Sequence, residues 1–308
     1  MSDPTPLVTV VIPTYNYGAY VGQAIESALA QTYPAVEVVV VDDGSTDDTP
    51  ARLAAYGDRI RVVRQANQGL SAARNAGIAA AAGEFIALLD SDDAFHPRKL
   101  ELQLRHLARN PAVGLAGTHH FSDPARMWPA VEADPAVRPV ALDELVLRSP
   151  FSPSSAVFRA SCAAAVGGFD AGLRSVEDRD FWIRVGAKSP VAVVAAELTY
   201  YRVTPGSMSR NPERMENFER VVLDKAFAMP ELAGRWAFRR KARGLASYAS
   251  AYVFFAAGRP VGGFRRAVAS FAWWPLPYAA ADVRVRFGRL RLLAACAAKA
   301  VTRRGAGR

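Results

Sequence analysis

Three carboxylates stand within four residues at Asp90-Ser91-Asp92-Asp93, directly after the apolar run 85–89. The run predicts a buried strand, and carboxylates crowded at the end of a strand repel one another unless a cation lies among them. A hard divalent cation such as Mg²⁺ or Mn²⁺ binds such oxygens together with phosphates and water. The simpler alternative is an acidic turn exposed to solvent, and the neighbouring polar clusters must decide between the two.

Within this turn, Asp92 is the best candidate for a metal ligand, and Asp90 is expected to support it. Asp93 is expected to be structural, at the cap of the turn that leads to Pro97. A bound cation would stabilise the negative charge that develops on a departing diphosphate.

The chain around this turn alternates between strand and helix patterns. Apolar, β-branched runs predict strands at 8–12, 36–41, 60–63, 85–89 and 113–116, and helical periodicity predicts helices at 20–30, 48–56, 71–82 and after Pro97. Gly83 suits a left-handed position at the end of the third helix. Strands that are apolar throughout and alternate with helices predict an α/β fold, a Rossmann-like and mainly parallel sheet flanked by helices.

Two further polar clusters follow predicted strands: Thr14-Tyr15-Asn16 after the first and Asp42-Asp43 at the end of the second. Ligands of such sheets bind beyond the carboxyl ends of the strands, so both clusters are expected beside the acidic turn. Tyr15 offers a ring that either stacks on a nucleobase or packs the turn. Asp43 either accepts hydrogen bonds from the N–H of a uracil-like ring or caps the following helix.

Two charged positions on predicted helices add to these clusters. Arg74 is able to pair with Asp42, Asp43 or a phosphate, and the alternative is a solvated charge on the helix surface. Further along, the segment 177–184 opens a helix with acids in its first turn. A carboxylate at that helix start which faces the same pocket would suit a general base, and ordinary helix-terminus charge is the alternative.

The segment 118–160 shows little periodicity and contains many prolines. It predicts an irregular loop around an acceptor opening, with 150–155 as part of its lining. The two cysteines, Cys162 and Cys296, lie far apart without metal-ligand spacing and are expected to be inert thiols. The start of the chain lacks a basic stretch followed by an apolar one, so no signal peptide is expected.

The charge of the chain is unevenly distributed. Residues 231–308 hold 16 of the 38 Lys and Arg residues but only 2 of the 29 Asp and Glu residues, although the whole chain carries a net charge of only +9. The predicted division is 1–215 for the sheet domain and 216–308 for a basic helical extension, with helices at 237–257 and 283–301 around the aromatic segment 271–278. Basic helices with aromatic clusters favour an anionic membrane surface. A helical cap with solvated arginines is the alternative, and the chain has no nucleic-acid-binding motif.

Taken together, these residues resemble the family-2 glycosyltransferases of the GT-A fold, a group of inverting enzymes that use nucleotide sugars. The similarity covers about residues 7–210 and rests on the order and spacing of several short motifs. The matching stretches are Val10-Val11-Ile12-Pro13-Thr14-Tyr15-Asn16, Val41-Asp42-Asp43-Gly44-Ser45-Thr46-Asp47, Asn67-Gln68-Gly69, Arg74-Asn75-Ala76-Gly77, Asp90-Ser91-Asp92-Asp93 and Glu177-Asp178.

The resemblance implies a role for each of these positions. Asp92 would hold the metal with Asp90, and Asp178 would deprotonate the acceptor hydroxyl that attacks the anomeric carbon. A later segment, 201–209, would close over the donor; many members have His where Thr204 stands, so no metal role is expected for Thr204. The candidate nucleotide contacts are Pro13, Tyr15, Asn16, Asp42, Asp43, Arg74, Asp90, Ser91 and Arg202, with Ser207 as a further diphosphate contact.

The resemblance therefore implies a metal-dependent, inverting transfer from a nucleotide sugar, with a UDP-sugar favoured, to a glycan or lipid-linked acceptor. The expected location is cytoplasmic, peripheral on the inner face of the cell membrane. Two alternatives remain open. A sugar nucleotidyltransferase would share the sheet and the acidic turn, but such enzymes usually begin with a Gly-rich loop where Pro13-Thr14-Tyr15-Asn16 stands here. A membrane-surface adaptor without activity would retain the fold, but intact Asp92 and Asp178 argue against it.

Overall fold

The structure is a computed structural model that describes residues 5–126, 128–204, 211–279 and 288–305, the last six by backbone only. The chain divides into two units. The first comprises Met1–Leu145 with Ser149–Thr204, and the second comprises Val146–Arg148 with Pro205–Arg308. The predicted boundary at 215/216 falls inside a helix that begins at Pro212, because the change in charge lies further along the chain than the change in packing.

Nine strands and eleven α-helices make up the described chain. The strands are β1 Val8–Thr14, β2 Val36–Asp42, β3 Arg61–Arg64, β4 Phe85–Leu88, β5 Ala94–Phe95, β6 Leu115–Phe121, β7 Val137–Val140, β8 Val157–Arg159 and β9 Val191–Tyr200. The helices are α1 Gly18–Leu29, α2 Thr49–Ala54, α3 Leu70–Ala80, α4 Lys99–Arg109, α5 Leu142–Leu147, α6 Ala160–Val166, α7 Glu177–Gly186, α8 Pro212–Ala228, α9 Trp236–Ala256, α10 Pro260–Trp273 and α11 Gly288–Gly305.

All strands of the first unit join one sheet in the order β3-β2-β1-β4-β8-β6-β9-β5, with β7 paired to β9. The four strands β3, β2, β1 and β4 are parallel neighbours, so their carboxyl ends meet at one edge. The predicted α/β fold with a mainly parallel sheet flanked by helices is confirmed, and β8 enters it antiparallel between β4 and β6.

The parallel strands are apolar on both sides because helices cover both faces. Val10 and Ile12 are fully buried on the face that α1 covers, whereas Val39 and Val41 pack on the opposite face with Ala73 of α3. Each such side chain contributes about 1.5–3 kcal/mol to folding. α3 approaches the sheet closely, since a Cβ on Gly77 would lie 2.3 Å from Val11 Cγ1.

Several predicted boundaries are corrected by the structure. β1 continues through Pro13 to Thr14, and α4 begins at Lys99 rather than at Pro97. Gly83 does not have a left-handed backbone. A glycine stands there because a Cβ would lie 2.6 Å from the backbone nitrogen of Thr9.

The prediction of an irregular loop at 118–160 is wrong in large part. The predicted strand 113–116 extends as β6 to Phe121, and the following segment supplies β7, α5 and β8. β8 has only three residues, too few for a periodic pattern, yet Val157 and Phe158 are fully buried. Its place in the middle of the sheet is decided by pairing with distant strands, which no local pattern reveals.

The second unit consists of the helices α8 to α11, of which α10 packs on α9 and α11. Carboxylates of α8 pair with arginines of the later helices, with Asp224 near Arg239 and Arg243, Glu213 near Arg259, and Glu216 near Arg266. Among the described residues, no helix has the length and apolar character needed to cross a membrane. Residues 283–287 of the last predicted helix lie outside the described part of the chain.

Candidate active site

The acidic turn lies at the carboxyl end of β4, where the parallel strands end. Asp93 is buried within it. One of its oxygens accepts a 2.6 Å hydrogen bond from the Ser154 hydroxyl and the other a 2.9 Å bond from the backbone N–H of Arg202. Burial and the nearby Asp90 charge raise the pKa of Asp93. Asp93 therefore ties the turn to the segments before β8 and after β9, and it does not cap α4, whose N-cap is Arg98.

Asp90 and Asp92 are the carboxylates of the turn that remain partly exposed. Burial and, next, the charge of Asp90 raise the pKa of Asp92 to about 6. Among the described residues, no three His, Cys, Asp or Glu side chains are arranged around a common metal position. Two partly exposed carboxylates would suit a hard cation that is held jointly with phosphate oxygens and water.

Tyr17 belongs to the same site, although the sequence analysis did not select it. Burial raises the pKa of its phenol, followed by the charge of Asp92 and, more weakly, that of Asp90. The hydroxyl therefore lies near the acidic turn. Its position in the sequence could have indicated this role, because Tyr17 lies two residues after Tyr15 in the turn between β1 and α1.

Arg74 of α3 links this turn to the start of α7. The side chain is fully buried. One terminal nitrogen, Nη2, donates to Asp90 Oδ1 at 2.7 Å and the other, Nη1, donates to Glu177 Oε1 at 2.6 Å. Neither of the predicted carboxylate partners, Asp42 and Asp43, pairs with it: Asp42 lies 3.2 Å from Arg64 instead. Local sequence patterns could not predict this contact, because Arg74 and Glu177 are 103 residues apart in the chain.

Asp178, the candidate general base, lies in the first turn of α7. The residue is half-buried. Burial and the neighbouring charge of Glu177 raise its pKa to about 6, against the opposing effect of Arg74. A carboxylate with a pKa near 6 is ionised at neutral pH and is basic enough to accept a proton.

The residue before this helix has an unusual backbone. Val176 has φ 61° and ψ 16°, in the left-handed region, where a β-branched residue is a true outlier. Packing further along α7 fixes the helix, since Phe181 stacks on Phe169 with 4.2 Å between ring centroids. Asn75 of α3 holds the preceding segment by two 2.8 Å hydrogen bonds with the backbone of Phe169. The strain is therefore held in place on both sides of Val176.

The predicted nucleotide contacts lie around the ends of β1 and β2. The Asp43 carboxylate is buried and accepts hydrogen bonds from the Gln65 side chain and from the backbone of Gln68 and Gly69, at 2.7–2.9 Å. It thus holds the loop before α3, which leaves fewer free lone pairs for a base than the sequence suggested. The ring of Tyr15 is 44% exposed and is free to stack on a planar ligand.

Four other predicted contacts are placed as follows. Asn16, with φ 57°, accepts a 2.8 Å hydrogen bond from the backbone of Thr46, and Asp42 accepts a 2.9 Å bond from the backbone of Ser45. Pro13 pairs in register with Val41 inside the sheet. Ser91 is buried within the acidic turn. These side chains shape the turns around the strand ends.

Arg202 follows β9 and reaches the same turn. Its Nε donates a 2.9 Å hydrogen bond to the backbone carbonyl of Asp92, and its guanidinium lies 5.0 and 5.1 Å from the ring centroids of Tyr20 and Tyr200. Beyond Thr204, residues 205–210 lie outside the described chain, including Ser207 and most of the predicted closing segment.

The segment 150–155, predicted to line an acceptor opening, is buried at three positions and partly exposed at the other three. Phe151, Ser154 and Ser155 are buried, and the Ser154 hydroxyl also accepts a 3.0 Å hydrogen bond from the backbone N–H of Asp90. The segment supports the acidic turn from behind, because a serine hydroxyl that both donates and accepts can bind the turn at two points.

Comparison with known proteins agrees with this geometry. Residues 9–176 match the family model described as Glycosyl transferase family 2. An uncharacterized glycosyltransferase of Rickettsia prowazekii is 32% identical over 186 residues, which are 58% of this chain and 58% of that protein. The succinoglycan biosynthesis protein ExoO of Rhizobium meliloti is 50% identical over 114 residues, 36% of this chain and 32% of that protein. The chain thus spans little more than half, or less, of these relatives.

Solved structures share the fold at low identity. S. aureus TarS 1–349 in complex with UDP has a TM-score of 0.57 at 20% identity and covers 89% of this chain and 93% of its own. The mannosyltransferase PcManGT of Pyrobaculum calidifontis, in complex with GDP-Man and Mn²⁺, has a TM-score of 0.62 at 19% identity, over 97% of this chain and 87% of its own. These likenesses establish the GT-A fold of the chain, with its helical extension.

Proposed function

The chain belongs to glycosyltransferase family 2, and from this premise we propose that it moves a sugar from a UDP-sugar to a hydroxyl group with inversion at the anomeric carbon. The observation that carries the proposal is the position of Asp178. Asp178, with a pKa near 6, lies in the first turn of the helix that Glu177 and Arg74 join to Asp90 of the acidic turn. One buried arginine thus connects the acidic turn to the helix that carries Asp178.

The donor would occupy the strand ends between Tyr15 and the acidic turn. The exposed Tyr15 ring would stack on the base. Asp43 would shape the base-binding site indirectly, because it holds the loop before α3. A uridine nucleotide is favoured because TarS, which has the same fold, has been solved with UDP and with UDP-GlcNAc. PcManGT holds GDP-Man, so a guanosine donor is the competing outcome of a binding test.

Asp92 and Asp90 would hold Mg²⁺ or Mn²⁺ against the diphosphate. When bound, the cation would supply positive charge opposite the leaving diphosphate. Burial and, next, the charge of Asp90 raise the pKa of Asp92, and a bound cation would relieve the repulsion between the two carboxylates. The Tyr17 hydroxyl, which lies near Asp92 and Asp90, would donate a hydrogen bond to the same phosphates.

The chemical step assigned to the chain's own residues is a proton transfer. Asp178 would accept the proton of the acceptor hydroxyl as its oxygen attacks from the face opposite the diphosphate. Arg74, which is fully buried and bonded on both sides, would hold α7 at a fixed distance from the donor. The acceptor is a hydroxyl of a glycan or of a lipid-linked sugar, and the basic second unit would bring the enzyme to the inner face of the membrane.

The test combines binding and turnover. Thermal stabilisation by UDP-, GDP- and dTDP-sugars, each with and without Mn²⁺, identifies the donor, since a ligand that binds only the folded state raises the melting temperature. Release of the nucleotide diphosphate in the presence of acceptor extracts then measures turnover. A chain that no nucleotide sugar stabilises, or one that keeps full turnover as the Asp178→Asn variant, would refute the proposal.

A further inference from the structure

Helix α10 buries small residues and exposes several large apolar ones. The buried positions are Pro260, Gly263, Ala267 and Ser270, and they pack on α9 and α11. A Cβ on Gly263 would lie 2.9 Å from Cys296 Sγ and 3.0 Å from the carbonyl oxygen of Ala251, so the neighbouring helices leave no room for a larger residue. This close approach explains why the buried stripe is small.

The opposite stripe of α10 is apolar and faces solvent. Val261 is 49% exposed, Phe264 37% and Val268 46%. Their spacing of three and four residues puts them on one side of the helix, and Ala272 and Leu276 continue the row, with Leu276 in the loop that follows α10. We call this row the α10 stripe. A helix of a globular protein ordinarily turns its large apolar residues toward the core, and α10 does the reverse.

All charged residues of the segment that contains α10 are basic. The sequence contains no Asp or Glu from 232 to 281, nor from 283 to 308. Arg265 borders the stripe and is exposed, Arg259 precedes the helix, and Arg240 reaches its last turn, where it donates a 3.0 Å hydrogen bond to the carbonyl of Ala272. Arg259 and Arg266 are offset by Glu213 and Glu216 of α8, whereas Arg265 has no ion-pair partner among the described residues.

From these observations we propose that the α10 stripe is the surface with which this protein lies on an anionic lipid bilayer. Apolar side chains enter the boundary between headgroups and acyl chains, and the arginines beside them meet lipid phosphates. A second copy of the chain is a poorer occupant, because two such faces would bring like charges together. A nucleic acid would bind the arginines through its phosphates, but it would make no apolar contact with the exposed valines and phenylalanine.

This surface rests on the membrane location given in the proposed function, and it specifies the helix face that makes the contact. It predicts weak, reversible binding of the full chain, because a single short amphipathic helix buries little apolar area. Binding should also weaken with added salt, which screens the arginine–phosphate attraction.

The experiment is co-sedimentation of the full chain with vesicles of phosphatidylcholine alone and with vesicles containing phosphatidylglycerol. The wild type is expected to bind the anionic vesicles and to bind the neutral ones far more weakly. The double variant Val261→Gln, Val268→Gln keeps a good helix former at both positions and should bind about tenfold more weakly, because two apolar side chains no longer enter the lipid. Adding Phe264→Gln should abolish binding, and Arg265→Ala should weaken it about fivefold.

The matched control is the double variant Val62→Gln, Val137→Gln, which replaces two exposed valines of the first unit (40% and 38% exposed). It should bind vesicles like the wild type. The proposal is overturned if the wild type ignores anionic vesicles, if the α10 variants bind as well as the control, or if light scattering shows a wild-type dimer that those variants convert to a monomer.

Nucleotide release from the donor in solution, measured on the same proteins, separates this inference from the proposed function. The α10 variants should retain the wild-type rate of release. A wild type that binds vesicles but releases no nucleotide would count against the proposed function and leave the surface standing. A wild type that turns over donor but does not bind vesicles would overturn the surface alone.

Discussion

Arg74 and Glu177 form a buried ion pair, with 2.6 Å between Nη1 and Oε1, although α3 and α7 are far apart in the chain. The same guanidinium lies 2.7 Å from Asp90. A planar guanidinium can bind two carboxylates at once at fixed angles, which an ammonium cannot. The pair therefore sets the distance between the proposed donor side and the helix that carries Asp178.

Replacing Arg74 by Met should destabilise the fold by about 3–5 kcal/mol, because Glu177 is left with an uncompensated buried charge. Urea unfolding measures the change. The double variant with Glu177→Gln should recover part of the loss, since both charges are then gone. Arg52→Met, which breaks the exposed pair with Asp48, is the control and should cost at most about 1 kcal/mol. Equal losses in the two arginine variants would contradict the role assigned to Arg74.

The Asp178→Asn variant should lower the turnover number by about 10²–10⁴-fold, the usual contribution of a positioned base, and should leave donor affinity unchanged. In the wild type, the rate should fall as pH drops below about 6, because the carboxylate with the raised pKa is then protonated. Asp58→Asn, at an exposed position, serves as the control. A wild-type rate that is flat from about pH 5 to about pH 7, one unit on either side of the expected midpoint, would remove Asp178 from this role.

Asp92→Asn should stabilise the protein while impairing its activity. The folded pKa of Asp92, about 6, lies above the unfolded value of about 3.9. The folded state therefore binds more protons between these values, and the wild type loses stability as pH rises from about 4 to about 6. At pH 8 the variant should be more stable by roughly 1–3 kcal/mol, and the gain should vanish near pH 4. Melting temperatures across this range, without divalent cations, provide the measurement.

Val176→Asn should relieve the left-handed strain, because Asn tolerates this conformation far better than a β-branched residue. The expected gain in the free energy of unfolding is about 1 kcal/mol. If the strain aims Asp178, the turnover number should fall while donor affinity stays unchanged. Val137→Asn, at an exposed strand position, is the comparison and should not stabilise. A variant no more stable than the wild type would mean that Val176 stores no strain.

Lys99→Met should stabilise the protein. Lys99 is fully buried, its Nζ has no hydrogen-bond partner among the described residues, and it lies 4.1 Å from the ring centroid of Phe95. Burial lowers its pKa well below the usual value, so the unfolded chain binds more protons and the wild type gains stability as pH rises toward about 10. At pH 7 the variant should gain roughly 1–3 kcal/mol, and the pH dependence should flatten. Exposed Lys188→Met would be expected to show neither effect.

The sequence by itself determined the elements that depend on local pattern. Runs of apolar residues predicted β1, β2 and β4 and the two-sided burial typical of parallel strands. The positions of Tyr15, Asp43 and Asp92 after those strands placed them at one sheet edge. Local order and spacing were also enough to recognise the family, because each short motif follows a particular strand or begins a particular helix.

Only the tertiary structure decided the contacts between segments far apart in the chain. The partners of Arg74, the burial of Ser154 behind Asp93, the approach of Tyr17 to Asp92 and the central place of β8 all depend on pairings across the sheet. Likewise, α10 was not predicted from the sequence, and its packing on α9 and α11 shows which of its sides is buried. Periodicity reports that a helix has two unlike faces, but packing decides which of them meets solvent.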